Sequence, residues 1–144
     1  MQMNRRSLPR YLGVLTVVIA LAVSSFGCGA NIERGKVLFG TDKPTRDSKC
    51  TAHAAVTSVS VTTSVYATYV FKAKPADEVI SLEVTKDGQS FLRSIAVPTS
   101  ETKGRDCFGD IADLSKVRNW AAGTFHFKLT SPTDTVAEGD LTVK

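Results

Sequence analysis

The sequence predicts an all-β fold, an antiparallel sandwich or barrel, on three observations. Apolar and polar residues alternate along several stretches, turn-forming residues recur at roughly 8–12-residue spacing, and no stretch beyond residue 33 carries a long amphipathic helical period. Alternation marks a strand with one buried face, because successive side chains of extended backbone point to opposite sides.

The first strand is expected over 35–40, where glycines bound Lys36-Val37-Leu38-Phe39. Residues 41–49 (TDKPTRDSK) are polar, contain Pro44 and read as a loop. The strongest alternation runs from Val59 to Ala73. There Val59, Val61, Val65, Ala67, Tyr69, Phe71 and Ala73 take alternate positions, with Ser58, Ser60, Thr62, Ser64, Thr68 and Lys72 between them. Val, Thr and Tyr dominate, which favours strand over helix. The run exceeds the usual ~5–6 residues of a strand, so a turn or bulge is expected near Thr62 to Ser64. Lys74-Pro75-Ala76-Asp77 reads as a turn. Ile80, Leu82 and Val84 then alternate up to a hairpin turn at Lys86-Asp87-Gly88-Gln89, in which Gly88 tolerates positive φ, and Phe91, Ile95 and Val97 resume the pattern. Residues 98–103 read as a polar loop. Ile111, Leu114 and Val117 allow a short helix at most within 110–119. Phe125, Phe127 and Leu129 alternate with His126 and Lys128 as a clear strand. After the loop Ser131-Pro132-Thr133-Asp134, a last strand runs from about Val136 to Val143 with Gly139 inside it.

Residues 1–27 follow another logic. Arg5, Arg6 and Arg10 precede an apolar run from Tyr11 to Val23, without an acidic residue, and the run closes on Ser24-Ser25-Phe26-Gly27. This is the basic and apolar order of a secretory signal peptide. The run is short for a spanning helix, which needs roughly 20 apolar residues; an uncleaved anchor is the alternative. Arg5-Arg6-Ser7-Leu8 resembles part of a twin-arginine signal, so the export route stays open. Removing the three arginines from the chain's 18 basic residues leaves 15 against 14 acidic ones. The remainder is nearly neutral, which argues against a nucleic-acid or other polyanionic partner.

Cysteine is informative because exported thiols enter an oxidising compartment. Ser25-Phe26-Gly27-Cys28 resembles the lipobox of bacterial lipoproteins, with a small residue before a cysteine that becomes the first residue of the mature chain. The family usually has Leu, then Ala or Ser, where this chain has Ser25 and Phe26. The resemblance implies that Cys28 carries a thioether-linked diacylglycerol and an acylated amine, with palmitate-type chains holding the protein on a bilayer. The alternative is an ordinary signal cut near Gly27 or Ala30. With Cys28 used for lipid, Cys50 and Cys107 remain as an even pair, and a disulfide between them is expected to contribute ~4 kcal/mol in the chain-entropy model. Neither lies near a second cysteine at the short spacing of a metal site. The expected organisation is a signal peptide at 1–27, the lipidated Cys28 with a tether at 28–33, and one domain at 34–144.

Ser64-Val65-Tyr66-Ala67-Thr68, then Val79 to Gly88 (VISLEVTKDG), Trp120-Ala121-Ala122-Gly123-Thr124-Phe125 and Leu141-Thr142-Val143 resemble the sparse pattern of bacterial secreted and lipoprotein modules with an immunoglobulin-like β-sandwich. Leu82 and Val84 stand where the family often has an aromatic residue, and Phe125 replaces a tyrosine. The resemblance implies an accessory or adhesive module and names no ligand.

No G-x-S-x-G nucleophile motif occurs. His53 lies near Cys50 and His126 is expected to face out of its strand; both read as surface or packing residues. Asp106, Asp110 and Asp113 with Glu101 cluster loosely around Cys107, but a calcium loop needs about six convergent oxygens at tight spacing, and a solvated loop is the better reading. Trp120 could offer a carbohydrate-stacking face; an aromatic capping the core is preferred. The expectation is a non-enzymatic, monomeric envelope lipoprotein without cofactor or metal. It would be anchored to the membrane, facing the periplasm or exterior, and would bind an envelope protein or glycan. Gly29 differs from the Asp that signals inner-membrane retention, which favours the outer membrane where there are two. The rival expectation is a secreted enzyme or enzyme inhibitor with an unrecognised site. A concave pocket holding His53 or His126 beside carboxylates would favour it.

Overall fold

The computed structural model describes residues 32–45 and 49–144. The expected signal peptide, Cys28 and most of the tether lie outside the described residues. The elements are β1 (Lys36–Gly40), β2 (Ala55–Val56), β3 (Ser58–Val59), β4 (Tyr66–Val70), β5 (Ile80–Lys86), β6 (Gln89–Val97), a helical turn α1 (Thr99–Thr102), β7 (Cys107–Gly109), a 3-10 turn at Leu114–Lys116, β8 (Gly123–Thr130) and β9 (Thr135–Val143).

The all-β expectation holds. The strands join in one sheet in the order β6-β5-β8-β9-β1-β4-β7, with β2 on β1 and β3 on β9, curled into a half-barrel. The sequence suggested two separate layers. The sheet is continuous because β1 and β9 meet through one parallel pair, Lys36 opposite Glu138, at the junction between two antiparallel blocks. Inside the curl, Phe125, Phe127 and Leu129 of β8 pack with Ala137, Leu141 and Val143 of β9 and with Val65, Ala67 and Phe71 from the other block. Phe39 of β1 meets Phe127 edge-on at 5.0 Å between ring centroids.

The hairpins form where expected. Asp87 and Gly88 take φ of +49° and +78°, the paired left-handed geometry of a two-residue turn whose twist suits the flanking strands. The Asp87 carboxylate accepts from the Thr124 N–H at 2.8 Å and ties the turn to β8. The turn expected near Thr62 to Ser64 is also present, with Thr63 N–H donating to the Ser60 carbonyl.

Four expectations change. Val61 and Ala73 leave the buried stripe: Val61 lies in the turn, 38% exposed, and Ala73 follows the end of β4. Thr68, expected on the solvent side, is buried: Ala67, Thr68, Tyr69 and Val70 are buried in succession, so both faces of β4 are covered. The alternation of β6 is broken by two register shifts against β5, so Ile95 opposes Leu82 at the sheet margin and is 48% exposed. The polar loop at 98–103 contains α1, followed by the edge strand β7.

Candidate functional site

Cys50 and Cys107 form the expected disulfide, with Cα atoms 5.4 Å apart across a sequence separation of 57 residues. Cys107, on β7, opposes Val70 of β4, so the bond fastens the loop before β2 to the far margin of the sheet. Beside it, Asp106 accepts from Arg34 at 2.9 Å and pairs with Lys74 at 3.6 Å. The Arg34 hydrogen bond, aided by Lys74, holds the Asp106 carboxyl below its usual range.

A concavity opens at the junction of β1 and β9. Glu138 N–H donates to the Gly35 carbonyl at 3.1 Å. At the next residue, a Cβ on Gly139 would strike the Val37 carbonyl oxygen, so only glycine allows the two backbones this close. Beyond that contact, β1 keeps pairing with β4 and takes β2 at Phe39 and Gly40, while β9 takes β3 at Thr142 and Val143. The divergence leaves a cleft of about 470 Å³ lined by Val37, Leu38, Phe39, Cys50, Thr51, Ala52, Ala55, Val56 and Thr57, with Glu33 and Asp140 as its ionisable groups. This size falls in the usual range for small-molecule sites, roughly 300–1,000 Å³. Nothing in the sequence marked the cleft, because it arises where strands distant in the chain part company.

The singled-out histidines are used differently. His126 lies opposite Asp140 on the hairpin, and its Nδ1 is 2.7 Å from the carboxylate. The His126 ring is 39% exposed and the Asp140 side chain 67%. His53 is exposed in the turn before β2, where its backbone carbonyl lies against Gly40.

The loose acidic cluster divides into separate roles. Among the described residues, no group of three or more His, Cys, Asp or Glu side chains is placed to hold a metal ion. Asp113 caps the 3-10 turn: it accepts from Ser115 N–H at 3.0 Å, Val65 N–H at 3.2 Å and the Ser64 hydroxyl at 2.7 Å. Burial pushes its pKa up, but these hydrogen bonds to the charged form outweigh it, and the net shift is downward. Asp110 accepts from Ala112 N–H, yet burial dominates and raises its pKa. Tyr69 is buried and stacked on Phe108 at 5.9 Å; desolvation, with the nearby Asp110 charge, keeps its phenol protonated.

Trp120 stacks on Phe125 at 4.5 Å and packs against the core with its Nε1 buried, so at least one face of the indole is covered. Ser100-Glu101-Thr102-Lys103 has the S-x-x-K spacing of some nucleophilic serines and lies on α1 and its C-terminal cap. Its Lys103 ammonium is paired with Asp77 at 2.8 Å in an exposed setting, unlike the shielded base such a nucleophile needs.

No protein-family model matches the chain, and neither a curated protein nor a solved structure matches it.

Proposed function

We propose that this chain is an exported, lipid-anchored, non-catalytic module that binds a partner in the bacterial cell envelope. The observation that carries the compartment is the Cys50–Cys107 disulfide, because such bonds persist in oxidising surroundings and are rare in the cytosol. The signal-like order of residues 1–27 and the lipobox-like Ser25-Phe26-Gly27-Cys28 agree with it. We further read the two antiparallel blocks, β6-β5-β8-β9 and β1-β4-β7, as the leaves of an immunoglobulin-like sandwich joined at one edge. The Phe39–Phe127 contact between the blocks supports that reading.

The test is fractionation with mass spectrometry. The native chain should partition into detergent and begin at an acylated Cys28, whereas Cys28→Ser should partition into water. An unmodified amino terminus in envelope-derived protein would overturn the anchor.

The rival reading, a secreted enzyme or inhibitor, has one observation in its favour: His126 stands beside Asp140 at the cleft. Both groups are open to solvent, where an imidazole–carboxylate pair gains little from preorganised electrostatics. If His126→Ala abolished a hydrolytic activity of the purified chain, the non-catalytic reading would fall.

A further inference from the structure

We propose that the β1–β9 cleft binds a small ligand with an apolar body and one cationic head group, an amine or guanidinium. The inference rests on reading the domain as a binding module and names the ligand chemistry of that module.

The apolar half of the argument is the cleft wall. Leu38, Val56 and Ala55 offer aliphatic surface beside Ala52 and Cys50, and a volume of about 470 Å³ accommodates a ring or short chain. Leu38 and Val56 are only half-buried, so a ligand that covered them would remove apolar area from water at about 25 cal/mol per Å².

The electrostatic half is one-signed. Glu33 and Asp140 contribute carboxylates, and no Lys or Arg is among the lining residues. Both carboxylates are open to solvent, so each adds only a modest attraction for a cation and the selectivity comes from the two acting together beside the apolar wall. The same arrangement repels an anion, which sets fatty acids and phosphate head groups against the site. His126 holds Asp140 by one oxygen, Oδ1, and leaves Oδ2 for a ligand.

The test uses three probes that share a body and differ in the head: phenylpropylammonium, phenylpropanol and phenylpropanoate. They are titrated at pH 7 into the full chain held in phosphatidylcholine nanodiscs, and amide correlation spectra are recorded. The ammonium probe is expected to shift the amides of Leu38, Val56, Thr57 and Asp140, and to bind about tenfold tighter than the alcohol and more tightly still than the carboxylate. Glu33→Gln with Asp140→Asn should bring the ammonium affinity down to that of the alcohol while the alcohol's own affinity holds. Thr57→Lys, an exposed position at the cleft, should abolish ammonium binding with an unchanged thermal midpoint. Equal affinity for the three heads, or shifts confined to amides outside the cleft, would overturn the proposal. Neither result would alter the acylation of Cys28, so failure here is distinguishable from failure of the anchored-module reading.

Discussion

The β8–β9 hairpin and the β1–β9 junction share a strand and are held by different means. The hairpin runs in register from Gly123 opposite Val143 to Leu129 opposite Ala137, and its inward residues Phe125, Phe127, Leu129, Ala137 and Leu141 are almost wholly buried. The junction has one parallel pair, a backbone approach that depends on the missing side chain of Gly139, and a long-range disulfide nearby. Continuous local pairing leaves no room for a ligand; the sparsely paired junction opens into the cleft. The cleft thus sits where the sheet is least redundantly held, the kind of place where mobile and ligand-binding regions are commonly found.

The largest expected effect comes from removing the long-range link. Cys50→Ser with Cys107→Ser should lower unfolding stability by about 4 kcal/mol, read as a fall in the urea midpoint. Amides of β7 and of residues 49–54 should lose protection before those of β8. Equal loss across both regions would erase the distinction between hairpin and junction.

Next, Gly139→Val drives a branched side chain into the Val37 carbonyl. It should cost about 2–3 kcal/mol by overpacking and perturb the cleft amides more than those at the Asp87–Gly88 turn. A neutral result would show that the two backbones can separate freely.

Asp113→Ala removes a cap from the 3-10 turn and a tether to Ser64 and Val65. A loss of about 1–2 kcal/mol is expected, measurable by thermal unfolding, with the cleft unaffected.

The smallest effects are pH-dependent and opposite in sign. Because the folded-state pKa of Asp113 is lowered, its contribution is present above the unfolded value, about 3.9, and is lost as pH falls through the folded one. Because burial raises the pKa of Asp110, its charge opposes folding at neutral pH, and that opposition disappears as pH falls through the raised value. Asp110→Asn should therefore stabilise the domain at pH 7 and lose that advantage at about pH 3. Asp113→Asn should flatten the acid-side decline. Urea midpoints at the two pH values decide both.

What could be read beforehand follows the same division. Asp87-Gly88 and the alternation of Phe125, Phe127 and Leu129 are local signals, so both hairpins were legible. Gly139 was visible inside its strand, but the reason for it, the Val37 backbone, lies far away in the chain and leaves no periodic trace. Asp113 looked like one acid among several, although an Asp two residues before Ser115 at the start of Leu114–Lys116 is a helix-cap arrangement. Val61 and Ile95 fitted the apolar stripe and lie outside the core because a turn and two bulges shift the pattern. The disulfide followed from counting cysteines; the cleft could not, since it is made by strands diverging.

Native-state hydrogen exchange on the oxidised protein tests the contrast most directly, at the Glu138 amide bonded across the junction and the Phe127 amide in the middle of β8. The Glu138 amide should exchange at least about a hundredfold faster, through local opening, while Phe127 exchanges only by global unfolding. Equal protection of the two would contradict the account, because the junction would then be as firmly closed as the hairpin.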